Sequence, residues 1–425
     1  MRVLRNAYSY VLIGNAVSAG MGFAVLMVLT RALDPARFGE LAVLINLVDF
    51  GLIVIDALLF AGVVVTVSKY AQDHPDKADM ALKIGFLLRL PIALVIAVAG
   101  QVAAEPLSML MLGTPDLAGP MRLVCLALPL LTVHSFFITA LQSRQRFGSL
   151  ALATTFKNAF RLALMGGLFM LGRLDVSAAM GAMVIGGALA MGLAMAVAGL
   201  GFLRAPGMDW SILREIFDVN KWMAIAAIGL LGARIDIAML AHYSTAAEAG
   251  YYAAALQLCL VITLFSTALV TILLPKSAQM TDPVQVRAHF RKALKWLWVA
   301  PVGIVLIVPI TPFLVPLALG QDYVSVVGPL NLLVASALLA LVCNPALMAH
   351  FSLGLVPLYA LTVVAQMALR VVANVQVMPQ YGATGAAWVD FGVKVVSIAV
   401  SLVILWVIVH RRAASGEALQ AEAAA

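Results

Sequence analysis

Residues Leu41 to Val64 read LAVLINLVDFGLIVIDALLFAGVV, an apolar run whose only ionisable side chains are Asp49 and Asp56. A helix of about 20 apolar residues is long enough to cross the roughly 30 Å hydrocarbon core of a bilayer. Similar runs recur along the chain, and 63% of its 425 residues are hydrophobic while only 11% are charged. The mean hydropathy of +1.04 lies far above that of a soluble domain. The sequence therefore predicts an all-α, polytopic membrane protein.

About twelve transmembrane helices are expected, six on each side of a polar link near the middle of the chain. The first six are Ala7 to Leu29, Leu41 to Val64, Ile84 to Ala104, Met121 to Leu141, Leu150 to Leu171 and Ala178 to Phe202. The second six are Trp222 to Ala241, Gly250 to Leu274, Trp296 to Leu317, Val326 to Leu347, Pro357 to Met378 and Gly385 to Val409. Arg2 and Arg5 precede the first run without a small-residue cleavage site, which favours a retained helix over a signal peptide.

The basic residues predict the orientation of these helices. When alternate connections are assigned to opposite sides, one side holds 20 Lys and Arg residues and the other holds four, Arg31, Arg37, Arg122 and Arg173. Basic loops are retained in the cytoplasm. We therefore expect both termini to be cytoplasmic, in the inner membrane of a bacterium. The net charge of +7 is explained by topology, since the cations form no stripe typical of nucleic-acid binding.

The polar link predicts a division into two six-helix lobes, residues 1–205 and 222–412. Residues 206–221 between them place several apolar side chains on one helical face, which indicates an interfacial helix. Residues 413–425 are expected to form a disordered cytoplasmic tail. A weak repeat supports the two lobes, because Gly39 and Asn46 have the same spacing as Gly250 and Gln257. The two halves would then be parallel repeats.

Several short motifs resemble those of the oligosaccharide and polysaccharide flippases, a family of the multidrug, oligosaccharidyl-lipid and polysaccharide (MOP) exporter superfamily. Residues 29–39 read LTRALDPARFG, which is similar to the family's R-x-L-x-P-x-x-[FY]-G turn. Further matches are Arg234 to Leu240 (RIDIAML), Glu248 to Tyr252 (EAGYY), Leu274 and Pro275, Leu319 to Tyr323 (LGQDY) and Tyr381 to Ala387 (YGATGAA). They extend over nearly the whole chain in the order that the family shows.

The resemblance implies a MATE-like fold with the two lobes around a central cavity, and transport by alternating access. The implied cargo is an undecaprenyl-pyrophosphate-linked oligosaccharide, flipped from the cytoplasmic to the outer leaflet for O-antigen, lipopolysaccharide or other polysaccharide biosynthesis. Partners would be membrane lipids, a polysaccharide polymerase and assembly proteins. Twelve spans instead of fourteen disfavour the lipid II flippase branch.

Ionisable side chains within the predicted spans are the candidate site residues, because such groups usually face a bundle interior or a wet cavity. Arginine provides a planar donor fork for a pyrophosphate. The predicted substrate-binding residues are Arg161, Arg234, Arg370 and Lys157, and the candidates for ion coupling are Asp49, Asp56, Asp236 and Asp390. The competing interpretation is that these acids and bases neutralise one another within the scaffold. Asp390 and Lys394, four residues apart, are the first expected pair.

Two other functional classes compete with a glycan flippase. A drug or small-molecule antiporter of the same superfamily would need acids for a cationic substrate. A membrane enzyme is disfavoured because the longest external connection, Glu105 to Pro120, carries only Glu105 and Asp116 and no His, Lys or Arg, and no nucleophile motif is present. Cys125, Cys259 and Cys343 lie in apolar segments and lack the spacing of a metal site. No cofactor or metal is expected.

Overall fold

The computed structural model describes the backbone of residues 2–71, 73–278, 283–353 and 355–424. Side chains are described in the same ranges except at 2–13, 15, 58, 219, 221–233, 267–268, 270–278, 283–284, 351–352, 356, 410 and 412–424. Among the cations used to predict topology, Arg2, Arg5, Lys221, Lys276 and Arg412 lie outside the described side chains.

The described chain is α-helical and contains no strand. The first helices are α1 (Arg2–Ala32), α2 (Pro35–Tyr70), α3 (Pro75–Val102), α4 (Ala104–Leu112), α5 (Ala118–Ser143), α6 (Phe147–Met170), α7 (Val176–Ala198), α8 (Trp210–Tyr243) and α9 (Ala246–Ala278). They are followed by α10 (Pro283–Leu294), α11 (Val299–Ile307), α12 (Thr311–Leu319), α13 (Val327–Leu347), α14 (Ala349–Ser352) and α15 (Val356–Ala424). The all-α class is confirmed.

Within the described residues, eight helical stretches are long and apolar enough to cross a membrane, and two shorter apolar helices, Ala16–Ala32 and Leu59–Tyr70, accompany them. One of the eight, Pro357–Val409, has 53 residues and contains both of the last two predicted spans. The chain is therefore a multi-pass membrane protein, and the number twelve remains a prediction.

The break between the last two predicted spans lies at a glycine. Gly382 within α15 has φ 52° and ψ −139°, a backbone conformation that is not helical. Glycine adopts positive φ at little steric cost because it has no Cβ. Gly382 lies between Met378 and Gly385, where one predicted span ends and the next begins, so the sequence supplies at this boundary the residue that the break requires.

The chain divides into two compact units, Met1–Gly250 and Tyr251–Ala425. In the first unit, the rings of Phe86, Phe136, Phe137 and Phe202 pack with centroids 5.2–6.3 Å apart. They belong to an apolar core shared by α2, α3, α5, α7 and the start of α8. The second unit has a core that includes Phe290, Leu405 and Val409. The lobe limits of 1–205 and 222–412 remain predictions.

The predicted interfacial link is helical from Trp210 and continues without a break into the seventh predicted span as α8. Asp209 caps this helix by accepting hydrogen bonds from the Ser211 hydroxyl and backbone N–H. These bonds, the side-chain bond first, hold the pKa of Asp209 below its usual range. The cap is thus fully formed when Asp209 is ionised and weakens as the pH falls through that lowered pKa.

Helix α2 packs along α8 in the first unit. The Gly62 backbone N–H donates to Asn220 Oδ1 over 2.9 Å, and a side chain at Gly62 would collide with the Ile216 carbonyl. The far end of α2 crosses the first turn of α9 equally closely. A side chain at Gly39 would collide with the carbonyl of Ala246, and one at Gly250 with the carbonyl of Pro35. The two glycines that suggested the repeat are therefore both at this crossing.

The backbone at the end of α15 is helical through residues 413–424, and the disordered tail expected there remains a prediction. This segment reads AASGEALQAEAA and is rich in Ala, Glu, Leu and Gln. These residues have the highest intrinsic helix propensities, which accounts for the helical backbone in a polar sequence.

Candidate functional site

Three cations and one carboxylate meet in the first unit. Asp49 lies on α2, and its Oδ2 is 2.9 Å from Nη1 of Arg234 on α8. Both side chains are partly exposed, at 33% for Asp49 and 40% for Arg234. An ion pair with this much exposure is accessible to a polar ligand. The sequence placed both residues in the candidate site, and the structure brings them together.

Lys157 and Arg161 complete this cluster from α6. They lie one helical turn apart, and each interacts electrostatically with Asp49. Neither forms an ion pair within 4.0 Å among the described residues, and Nε of Arg161 is buried there without a hydrogen-bond partner. With Arg234, three positive charges surround one negative charge, a net charge of +2. We call Asp49, Lys157, Arg161 and Arg234 the cationic cluster.

Asn46 fixes the cluster's geometry. It lies one turn before Asp49 on α2, and its side-chain amide donates to the backbone carbonyl of Arg234. Side-chain amides within spans commonly join helices in this way. The position of the Arg234 backbone relative to Asp49 is thereby set by a second contact between α2 and α8.

His134 lies on α5 beside the cationic cluster. Its side chain is only 3% exposed, lies near the backbone of Ala190 and interacts electrostatically with Lys157. A histidine within a span can carry a proton or be a buried structural residue. The observed burial favours the second.

Asp56, the other carboxylate on α2, belongs to a separate ion pair. Its Oδ1 lies 3.5 Å from Nη1 of Arg89, and its Oδ2 accepts from the Ser135 hydroxyl over 2.9 Å. Arg89 is 1% exposed, and its guanidinium lies 5.8 Å from the ring centre of Phe136. Sequence reasoning did not include Arg89 in the site. Its position six residues inside the third predicted span was the signal that it is buried.

The second unit contains its own buried charges. Asp390 accepts from Arg370 Nη1 over 2.8 Å and from Lys394 Nζ over 3.0 Å, and it also accepts from the Ser336 hydroxyl. The expected pair of Asp390 and Lys394 is thus confirmed. Arg370 Nη2 donates to the hydroxyl of Tyr252 over 3.0 Å. Asp390 is 2% exposed, so this group is a buried network with two cations on one carboxylate.

The remaining candidate, Asp236, lies on α8 two residues after Arg234 and is completely buried. The different exposures of Arg234 and Asp236 agree with the expectation that two such residues project in different directions from a helix. No group of three or more His, Cys, Asp or Glu residues in the described part of the chain could hold a metal ion.

Comparison with known proteins gives both a family and a fold. The family model described as "Polysaccharide biosynthesis protein" matches residues 3–281. No curated protein sequence matches the chain significantly.

The solved structure of the lipid II flippase MurJ in an inward closed conformation is similar with a TM-score of 0.72 and 13% identity, covering 96% of this chain and 90% of that one. An inward-facing multidrug resistance MATE family transporter of the MOP superfamily gives 0.66 and 14%, covering 94% and 95%. A Vibrio cholerae MATE transporter gives 0.57 and 15%, covering 95% and 98%. At these identities the likeness concerns the fold, and it confirms the expected MATE-like class.

Proposed function

Because the chain belongs to the polysaccharide biosynthesis protein family, a membrane transporter family of the MOP superfamily, we propose that it is a flippase for lipid-linked glycans. Its cargo is an undecaprenyl-pyrophosphate-linked oligosaccharide, carried by alternating access from the cytoplasmic to the outer leaflet of a bacterial inner membrane. The product supplies a polymerase and assembly proteins that make O-antigen, lipopolysaccharide or another polysaccharide. Both termini remain in the cytoplasm.

The observation that carries this proposal is the net positive charge of the cationic cluster. A pyrophosphate passing through the protein leaves water and needs charged donors in its place. Arg161 and Lys157 lack a close carboxylate among the described residues, so their donors do not have to leave an ion pair before binding phosphate oxygens. Asp49 pairs with Arg234 and positions its side chain. This single negative charge does not neutralise the three positive charges of the cationic cluster.

Helix positions explain how the cluster could respond to cargo. Arg234 is on α8, Asp49 on α2, and Lys157 and Arg161 on α6, so the charges come from three different helices. A bound anion would attract the cations of α6 and α8 at the same time. Cargo binding would thereby couple the positions of these helices, as alternating access requires.

The paired state of the acids argues against a cationic drug as substrate. Asp49 pairs with Arg234, Asp56 with Arg89, and Asp390 with Arg370 and Lys394. A cationic substrate would have to displace a protein cation from each of these carboxylates. The geometry therefore supports the glycan flippase over the antiporter.

A cell-based assay tests the proposed cargo. Deleting the gene should leave intact lipid-linked oligosaccharide in the inner membrane, protected from an external lectin until the membrane is permeabilised. Arg161→Ala should fail to restore external exposure, whereas Arg173→Ala, which removes an exposed arginine outside the cluster, should restore it. If deletion leaves the external exposure of the lipid-linked glycan unchanged and reduces the efflux of a cationic dye, the antiporter would be favoured.

A further inference from the structure

Helix α10 of the second unit has one apolar face that is buried against the rest of the unit. Val286, Phe290 and Ala293 are at most 5% exposed and pack in a core with residues of α13 to α15. His289 Nε2 lies 3.2 Å from the Pro345 carbonyl oxygen and adds a polar contact to α13. These contacts fix which face of α10 is buried. The sequence of α10 then determines which side chains lie on its other faces.

The opposite face of α10 is basic and contains no acid. Residues 283–295 read PVQVRAHFRKALK, with four cations and no Asp or Glu. At 100° per residue, the positions of Arg291, Lys292 and Lys295 lie 140° to 240° from Val286, away from the buried face. All three side chains are exposed, and none has an ion-pair partner within 4.0 Å among the described residues.

Two tryptophans place this basic face at the level of lipid headgroups. Trp296 and Trp298 follow α10 directly and are 57% and 61% exposed. The chain then enters α11, where Val305 and Leu306 are 70% and 64% exposed, as expected for side chains that face lipid. Tryptophan is enriched at the boundary between the headgroups and the hydrocarbon. The cations of α10 lie within about three turns of that boundary.

We propose that Arg291, Lys292 and Lys295 form a binding surface for the headgroups of anionic phospholipids, with Trp296 and Trp298 anchoring its edge in the interface. The buried face explains why the helix lies flat on the unit, and the charge of the outer face matches phosphate. This surface concerns the surrounding lipid and is independent of the transported cargo. Anionic lipid would hold the end of the second unit at a constant depth in the membrane.

Lipid association in vesicles tests the proposal. The purified protein is reconstituted in phosphatidylcholine, and its preference for spin-labelled phosphatidylglycerol over spin-labelled phosphatidylcholine is measured by electron paramagnetic resonance. Each basic residue near an anionic surface contributes a factor of about five in binding. The triple variant R291Q/K292Q/K295Q should therefore reduce the preference about threefold or more, after averaging over lipids at other positions around the protein.

The matched control is R146Q/R204Q/R214Q, which removes the same number of charges from exposed positions on the first unit. It should lower the preference less than R291Q/K292Q/K295Q does, because its three charges come from separate segments and not from one helix face. Equal loss in both variants, or no loss in R291Q/K292Q/K295Q, would overturn the proposal. If the triple variant does not insert in the membrane, the double variant K292Q/K295Q replaces it. This variant retains two of the four cations and should show an intermediate preference for phosphatidylglycerol. A wild-type preference in the double variant would equally contradict the proposed lipid-binding surface. Transport is not measured, so failure here leaves the proposed cargo untouched.

Discussion

Arg161 is the arginine of the cationic cluster whose role is most easily separated from folding. It has no carboxylate within 4.0 Å among the described residues, so its replacement breaks no close ion pair there. Arg161→Lys keeps the charge but removes the planar fork, and transport should fall at normal protein yield. Arg161→Ala should lower cargo affinity by one to two decades, because a charge-assisted bond contributes about 1.5–3 kcal/mol.

The measurement for Arg161 is initial transport rate at several cargo concentrations, with yield determined from the same membranes. Arg173→Ala is the control. Normal transport by Arg161→Ala would remove this residue from the site, and reduced yield would make it structural.

Replacement of Asp390 should affect stability, because this carboxylate forms ion pairs with two cations. Asp390→Asn leaves the buried Arg370 and the partly buried Lys394 without that carboxylate, and should lower the free energy of unfolding by about 3–5 kcal/mol. Arg370→Gln leaves the pair of Asp390 and Lys394 intact and should be milder. The double variant keeps the net charge of the wild-type network and should recover stability relative to Asp390→Asn.

Thermal unfolding in detergent checks this order of stabilities. If Arg370→Gln proves as destabilising as Asp390→Asn, the network is not organised around the carboxylate. If Arg370→Gln preserves stability but abolishes transport, Arg370 has the binding role that its arginine chemistry suggested.

The sequence revealed the charged residues but only one of their close pairs. Asp390 and Lys394 are neighbours on one helix, so spacing alone predicted their contact. Asp49 and Arg234 are far apart along the chain, and their contact depends on how α2 packs on α8. Arg89 was counted only among the 20 cations of the cytoplasmic side, because hydropathy locates a span without showing which of its faces is buried.

The crossing of α2 and α9 depends on glycine. Because the atoms facing Gly39 and Gly250 belong to backbone, neither neighbour can move aside as a flexible side chain could. Gly39→Ala or Gly250→Ala should therefore destabilise the protein by about 1–3 kcal/mol, the usual effect of overpacking. Thermal unfolding of the purified variants measures the change.

Gly181 on α7 is the matched control for the crossing. Nothing lies within 4 Å of a Cβ built at this position. Gly181→Ala should be neutral or stabilise by up to about 1 kcal/mol through helix propensity. If alanine changes the stability equally at Gly39, Gly250 and Gly181, helix propensity determines all three changes and the close backbone contacts do not.

Helix boundaries were predictable where local chemistry sets them. Asp34 and Asp175 cap α2 and α7 through side-chain bonds to backbone N–H groups, and Gly382 interrupts α15. The continuous α8 was not predicted. A polar segment followed by an apolar one suggests a boundary in hydropathy, but the backbone can remain helical across that change in surroundings.

The basic loops predict the orientation of the whole chain. Reporter fusions after Asp76, after Lys292 and within the C-terminal tail should all be cytoplasmic, whereas a fusion between Glu105 and Pro120 should be external. This arrangement follows from 20 cations on one side and four on the other. An external C-terminus, or an external loop at Lys292, would contradict the predicted orientation.

The fold class could be predicted because the sequence signals for it are spread over the entire chain. Apolar runs indicated the membrane, and motifs from residue 29 to residue 387 indicated the superfamily. The cargo could not be read in the same way, since a cationic cluster recognises phosphate chemistry and leaves the attached sugars undefined.

Transport in sealed vesicles tests the glycan flippase most directly. The purified protein is reconstituted with fluorescent undecaprenyl-pyrophosphate-linked oligosaccharide prepared from the organism that makes the protein, and movement between leaflets is followed by a membrane-impermeant quencher. The wild-type protein should move the lipid-linked glycan, Arg173→Ala should match it, and Arg161→Ala should be slower at subsaturating cargo. Wild-type vesicles that leave the glycan in its original leaflet while transporting a cationic dye would contradict the proposed function.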